Sequence, residues 1–276
     1  MTKEEYLSKL NELLDKNQIP NKEEILEKYQ KRFSIGEELG MSEQEIIEKL
    51  KSPEDVVNSY KNQGKIIVTE EKLASETDKV FISHFIPTSL KFNMIADNLT
   101  FIIDDTQKGI KIDFNDVRKE DYSIKILDKS IKVSFNPEIS FIKHIKSGNL
   151  KIYLSKEKIE EIKINTTSSN IQFDYLNTND FIVQGCSSNL KGDYLNTNNL
   201  KIKLISGSID FNTIQANNLY FECVSSKGKI NSANLNSLNF SSVSGSLEVN
   251  SGNVNTYKIS SLSGALYLNG VRIRNN

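Results

Sequence analysis

Asp174 and Asp193 open the twin hexapeptides "DYLNTN" at 174–179 and 193–198, a step of 19 residues. Paired carboxylates at a fixed separation are what glycoside cleavage requires, one as general acid and one as base or nucleophile. These two lie in identical contexts with no Lys or Arg column opposite, and so read as solvated turn residues. His84 and His144 are far apart and form no HxH or HExxH pattern, which makes each a strand or loop histidine rather than a metal ligand. The two "SGS" triplets at 206–208 and 244–246 lack a companion histidine in the tail to activate a serine. Cys186 and Cys223 match neither a zinc spacing nor a disulfide framework and read as buried, reduced thiols. No GxSxG, Walker loop or GxGxxG occurs. The expectation is a protein that is not an enzyme, with no catalytic, cofactor-binding or metal residues, no cofactor, and no assignable partner-binding residues.

The elements that carry these residues explain the repeat better than catalysis does. Segments starting at Ile162, Phe181, Leu200, Leu219, Leu238 and Tyr257 each open with an alternating apolar strand. Each then turns at a small polar patch, runs through a second apolar strand and ends in an Asn-rich corner. Every interval is 19 residues, the mark of a coil that stacks equivalent residues about 4.8 Å apart. Ile202, Phe221, Phe240 and Ile259 should then form one inward column, with Ile209 and Leu247 in another. "DYLNTN" becomes a corner, where Asn side chains satisfy the local backbone. The same register puts Cys186 and Cys223 two turns apart, roughly 10 Å, beyond the ~7 Å reach of a disulfide. At the open end, Arg272 and Arg274 alternate with Val271 and Ile273, a charge pattern that discourages edge pairing.

Upstream, the period changes. Over residues 80–155 short alternating runs such as "SLKFNMIA", "GIKIDFN" and "SIKVSFN" predict lead-in strands paired as antiparallel hairpins. Residues 61–79 are polar and read as a linker. Residues 1–60 carry capping boxes at "TKEE", "NKEE" and "SEQE", and a Ser52-Pro53 helix start. Apolar residues follow at helical spacing: Tyr6, Leu10, Leu13 and Leu14; Ile25, Leu26, Tyr29 and Phe33; Ile46, Ile47 and Leu50; Val56, Val57 and Tyr60. Gly36 and Gly40 are expected at the reversal between the second and third helices. The fold class is therefore α+β and multidomain: a small helical bundle at 1–60, then a mainly-β region over 80–276. That region ends, over 156–276, in a β-solenoid of about six rungs.

Charge narrows the partners. The chain has 35 Lys/Arg against 36 Asp/Glu in 276 residues. Residues 1–60 hold 9 basic and 14 acidic side chains, a net of −5. A helix entering a DNA groove needs cations, and "SEQEIIEKL" offers Glu43, Glu45 and Glu48 against Lys49, so nucleic acid is not the expected partner. An acidic module that docks another protein is. No stretch approaches the ~20 apolar residues of a membrane span, and no secretory signal opens the chain. A cytoplasmic protein is expected, reaching a membrane only through a partner.

The run "YLSKLNELLDKNQIPNKEEILEKYQKRFSIGEELGMSEQEIIEKLKSPEDVV" resembles the HAAS domain, a helical module of bacterial proteins encoded beside PadR-type regulators. Here Leu50-Lys51 replaces the Leu-Gly of many relatives, and no transmembrane helices follow. The tail, with "LKIYLSKEKIEEIKINTTSSNIQF", "ISGSIDF", "VSGSLEV" and "LSGALYL", resembles the bacterial "putative adhesin" β-strand-repeat family. Ser155 stands where many of its members have Pro. The two resemblances imply an envelope-stress or regulatory scaffold whose head docks a protein and whose coil is a rigid recognition surface. The alternative they imply is a cell-surface adhesin binding glycan or protein through the Asn/Ser-rich face.

Overall fold

The computed structural model describes residues 1–19, 22–38, 40–63, 74–76, 79–106, 108–117, 121–135 and 147–273. Most of the expected linker, with Asn21, Pro137, His144 and Arg274, lies outside the described residues. Two compact units are formed, one of helices and one of strands.

The helical unit comprises α1 (Lys3–Lys16), α2 (Lys22–Glu38), α3 (Glu43–Lys49) and α4 (Pro53–Gln63). Capping boxes close at Thr2 with Glu5 and at Ser42 with Glu45, satisfying first-turn N–H groups that no helical carbonyl can reach. At α4 the Ser52 hydroxyl accepts from the Asp55 N–H at 3.1 Å. One side of each helix meets a common core of Tyr6, Leu10, Leu14, Tyr29, Phe33 and Val56, all fully buried. The Tyr6 ring lies 5.6 Å edge-on from Phe33, and its hydroxyl donates to the Lys51 carbonyl at 2.6 Å. Gly36 departs from expectation. It sits inside α2, where a Cβ would come within 2.5 Å of Ile46, so its role is to let α3 approach. The reversal itself falls to Gly40, whose φ of +74° suits glycine.

Among the described residues, the β unit is one curled, solenoid-like sheet of fifteen strands. Its longest, β10 (Asn170–Cys223), has 54 residues and would be roughly 180 Å if straight. It winds instead, lying alongside itself: Asn189 bonds Asn170, Asn198 bonds Asn179 and Asn212 bonds Asp193, each pair 19 residues apart. The same step governs its neighbours. Thr178 of β10 pairs in parallel with Ile159 of β9 (Ile159–Thr166), and Ser208 with Lys227 of β11 (Lys227–Ser242). Lys227 pairs with Ser246 of β12 (Ser246–Val249), and Ala233 with Gly252 of β13 (Gly252–Ser261). Phe221, Phe240 and Ile259 are in register, and the rings of the two phenylalanines lie 5.8 Å apart. Ile202, Ile209, Phe221, Phe240 and Leu247 are buried, because alternate residues of each strand turn to the same interior.

The lead-in strands differ from expectation. β3 (Ser89–Asn93) and β4 (Asn98–Ile103) do not form a hairpin. They join the curled sheet in parallel beneath β9 and β10, with Leu90 opposite Ile162 and Phe101 opposite Phe173, an offset of 72 residues. Below them lie β7 (Ser130–Phe135) and β8 (Asn149–Leu154), again parallel. Among the described residues, antiparallel pairing is confined to β1 (Ala74–Glu76) with β2 (Val80–Ser83), β2 and β8 with β5 (Ile110–Asp113), β6 (Tyr122–Leu127) with β7, and the final strands. The buried Asp97 pins this excursion: Tyr122 donates to one carboxylate oxygen, and the Gly148 N–H to the other at 2.6 Å. Burial and the Asp97 contact push the Tyr122 phenol far above its ordinary range, so it remains a donor.

The chain closes with β14 (Ala265–Leu268), parallel to β12, and β15 (Val271–Ile273), folded back antiparallel on β14 with Arg272 opposite Tyr267. The expected guarding of the last strand by Arg272 and Arg274 is thus recast. A hairpin extends β14, whereas β13 is paired, among the described residues, with β11 alone.

Candidate protein-recognition face

The polar corners are built as ladders. Asn198 donates to Asn179 at 2.9 Å, Asn217 to Asn198 at 3.4 Å, Asn236 to Asn217 at 3.0 Å and Asn255 to Asn236 at 3.1 Å. Asp180, Asn199, Asn218 and Ser237 form a second ladder at 2.7–2.9 Å. "DYLNTN" recurs because each of its residues stacks on its counterpart: Asn196 donates to Asn177 at 3.0 Å, and the Tyr175 and Tyr194 rings lie 5.4 Å apart, tilted by only 6°. A furrow of about 490 Å³ runs along this corner, lined by Asn196, Asn198, Asn217, Asn234 and Asn236.

The residues first suspected of chemistry are dispersed. Asp174 and Asp193 are exposed, and Asp193 accepts from Asn212 at 2.8 Å as part of a ladder. His84 is exposed, on the segment after β2. The Ser208 hydroxyl is taken by Asn189 at 2.8 Å. Between the first pair of serines, Gly207 has φ +120° and would place a Cβ 2.0 Å from the Ser188 carbonyl, so the triplet serves close approach to the neighbouring stretch of β10. The thiols are free and dissimilar. Cys223 is buried, which raises its pKa, whereas Cys186 is exposed, contrary to the expectation of two buried thiols.

That exposed cysteine begins the feature the sequence reading missed. Cys186, Ile205, Val224, Val243 and Leu262 recur every 19 residues just before the small polar turns. Their side chains point outward: Ile205 is 54% exposed, Val224 44%, Val243 46% and Leu262 86%. The backbone fixes them there. Val224 N–H donates to the Leu204 carbonyl at 3.1 Å, Val243 to Cys223 at 3.2 Å and Leu262 to Ser242 at 3.2 Å. Ser225, Ser244 and Ser263 then bond back to Ile205, Val224 and Val243 at 2.8–2.9 Å. The product is an aliphatic ridge with a step of about 4.8 Å. A groove of about 1330 Å³ borders it, whose other side carries Gln184, Lys203, Glu222, Ser241 and Ser260, with Lys203 and Glu222 ion-paired. Single exposed aliphatics are ordinary, but a contiguous apolar strip rimmed by polar groups marks an interaction site. An apolar residue immediately before each of Ser187, Ser206, Ser225, Ser244 and Ser263 was the available signal.

Among the described residues no helix is long and apolar enough to cross a membrane, and no cluster of three or more His, Cys, Asp or Glu could hold a metal ion. None of the curated proteins matches the chain. Among solved structures it is similar to a "putative cell adhesion protein" from Clostridium sporogenes ATCC 15579, with 13% identity, TM-score 0.35, and 70% of this chain and 99% of that one covered. It is also similar to a "putative lipid binding protein" from Parabacteroides distasonis ATCC 8503, with 13% identity, TM-score 0.23, and coverage of 67% and 94%. At those TM-scores neither likeness bears on function. The parallel, 19-residue architecture does have a family: residues 95–272 match Toastrack DUF4097, and the chain belongs to that family.

Proposed function

We propose that the protein is a non-enzymatic bacterial scaffold, associated with regulation or envelope stress. Its HAAS-like helical head docks a protein partner, and its coil of about six regular turns is a rigid recognition surface. The aliphatic ridge at Ile205, Val224, Val243 and Leu262 carries this reading, because a strip held open to water by its own backbone needs a protein surface to cover it. The head's net charge of −5 favours a partner with a basic docking patch, in the cytoplasm or at a membrane reached through that partner. The test compares the parent with Val224→Glu/Val243→Glu and with a chain lacking residues 1–60, each used to recover a partner identified by mass spectrometry. Ridge and head variants that keep the parent's full set of partners would remove the basis for the proposal.

A second reading, a cell-surface adhesin, is favoured by the Asn-lined furrow, whose carboxamides each keep a donor and an acceptor free after the ladder bond. Fractionation with surface proteolysis separates the two readings: protection in intact cells supports the scaffold, cleavage the adhesin.

A further inference from the structure

Charge is arranged in two different ways on the outside of the coil. Where β10, β11 and β12 lie side by side, exposed side chains stack with alternating sign: Asp210 is opposite Lys229, and Lys229 is opposite Glu248. Opposite charges on neighbouring strands attract, the ordinary way to fill a solvent-facing column. The first strands do the reverse. Lys125 of β6 lies opposite Lys132 of β7, Lys132 opposite Lys91 of β3, and Lys91 opposite Lys163 of β9. Lys91 stands between the buried Leu90 and Phe92, and Lys132 and Lys163 are flanked by buried residues in the same way, so the lysines share the outer face. Lys91 is ion-paired with Glu161 at 3.0 Å; among the described residues the other three are in no ion pair. Three successive like-charge pairs across strands oppose folding. The next outward column, two residues along each strand, avoids that cost by being neutral: Asn165 donates to Asn93 at 2.8 Å, and Asn93 to Ser134 at 3.1 Å.

We propose that the lysine column is a binding site for an acidic polysaccharide, a linear sugar chain with a carboxylate on each ring. The site uses neither the ridge nor the furrow, and rests on the surface reading above only for access to such a polymer. Four cations at the strand spacing span about 14 Å, too long a row for one small anion and suited to a chain whose charge repeats. The neutral column beside it selects among polyanions. The carboxamides of Asn93 and Asn165 each keep an N–H and a carbonyl lone pair for ring hydroxyls. A single-stranded nucleic acid stacks its bases on aromatic side chains, and these columns offer Lys, Asn and Ser in their place. A protein interface centres on aromatic or aliphatic anchors and is poor in Lys, and a membrane surface needs an apolar face to insert. Leu127, 73% exposed at the end of β6, is a single side chain of that kind.

The test uses the full chain and a fluorescein-labelled oligogalacturonate long enough to span the column, followed by fluorescence anisotropy. Saturable binding that weakens as salt rises is expected, with an unlabelled neutral dextran failing to compete. Lys125→Gln/Lys132→Gln should weaken binding at least about tenfold. Lys191→Gln/Lys229→Gln removes the same charge from the next face, where both lysines are exposed, and should leave binding unchanged. Relief of like-charge repulsion means that the first variant should melt no lower than the parent, so its loss of binding is not a loss of fold. Equal binding by the two variants overturns the location, and the absence of saturable binding to the parent overturns the site. Oligothymidylate or anionic phospholipid vesicles bound as tightly as the oligogalacturonate overturn the choice of ligand. Binding by the purified chain, with protection from surface proteolysis in cells, keeps the site and discards the surface reading; cleavage in cells without binding does the reverse.

Discussion

Replacing Phe221 by Ala tests the stacking register against the alternative that the repeat is only compositional. Phe221 is fully buried between Ile202 and Phe240, and its ring lies 5.8 Å from that of Phe240. Truncation leaves a cavity between turns that cannot collapse, because the neighbouring backbones are held at strand spacing; the cost is about 3–5 kcal/mol. Asn217, four residues earlier in the same turn, is exposed and occupies the ladder, donating to Asn198 at 3.4 Å and accepting from Asn236 at 3.0 Å. Asn217→Asp removes the longer bond, keeps the shorter one and leaves the new charge in water, a loss of about 0.5–1 kcal/mol. For a β unit of this size, about 2–4 °C accompanies each kcal/mol, so Phe221→Ala should melt roughly 6–20 °C lower and Asn217→Asp only ~1–4 °C lower. Thermal unfolding followed by the far-ultraviolet β signal measures both. Equal melting temperatures would refute the register, which puts Phe221 inside the coil and Asn217 on its exposed corner.

Gly207→Ala should destabilise the β unit by roughly 2–4 kcal/mol, measured by urea unfolding, because the added Cβ meets the Ser188 carbonyl and the φ of +120° disfavours it. Tyr122→Phe strips a donor from the buried Asp97 and should cost about 1–3 kcal/mol, detected in the same assay. Glu161 is a pH probe. Partial burial raises its pKa, but the Lys91 ion pair, the Ser89 hydroxyl and the charge of Lys163 outweigh that and hold it below the ordinary 4.5. A depressed carboxylate stabilises the fold fully above the unfolded value, and that contribution fades as pH falls through the folded one. Carbon-detected titration should show the Glu161 pKa rising in Lys91→Met; an unmoved value would disprove the pairing.

The helical starts at Thr2, Ser42 and Ser52 were legible because a cap is a local device, written within four residues. The columns through Ile202, Phe221 and Phe240 were legible because the step between turns is constant, so neighbours in space recur at one separation in sequence. The role of β3 and β4 was not. They neighbour β9 and β10 at an offset of 72, since between Ile103 and Ile159 the chain runs through β5 to β8 elsewhere in the sheet. No period connects the two sides of that excursion, and alternation alone cannot distinguish a hairpin strand from a parallel one. Gly36 was misplaced for a related reason, because the need for a small residue came from Ile46 on another helix. The ridge is legible in the sequence only as an apolar residue before a small polar turn; that it faces outward comes from the turn geometry at Val224 and Val243.

The uniform offset from β9 through β14 has a bearing on how this molecule can change length. Removing residues 200–218, one whole turn, would bring Asn199 against Leu219 and restore every ladder below and above, with Phe240 still over Phe221 and Phe221 now over Val183. Removing 18 would slip all later strands by one residue and turn their interior faces to water. Length is therefore available only in increments of one turn, each moving the far end by about 4.8 Å along the axis and rotating it by the twist between strands. The β unit is a ruler with fixed graduations. The number of turns sets the distance between its first strands and β13, and insertions or deletions of other sizes are tolerable only at the corners.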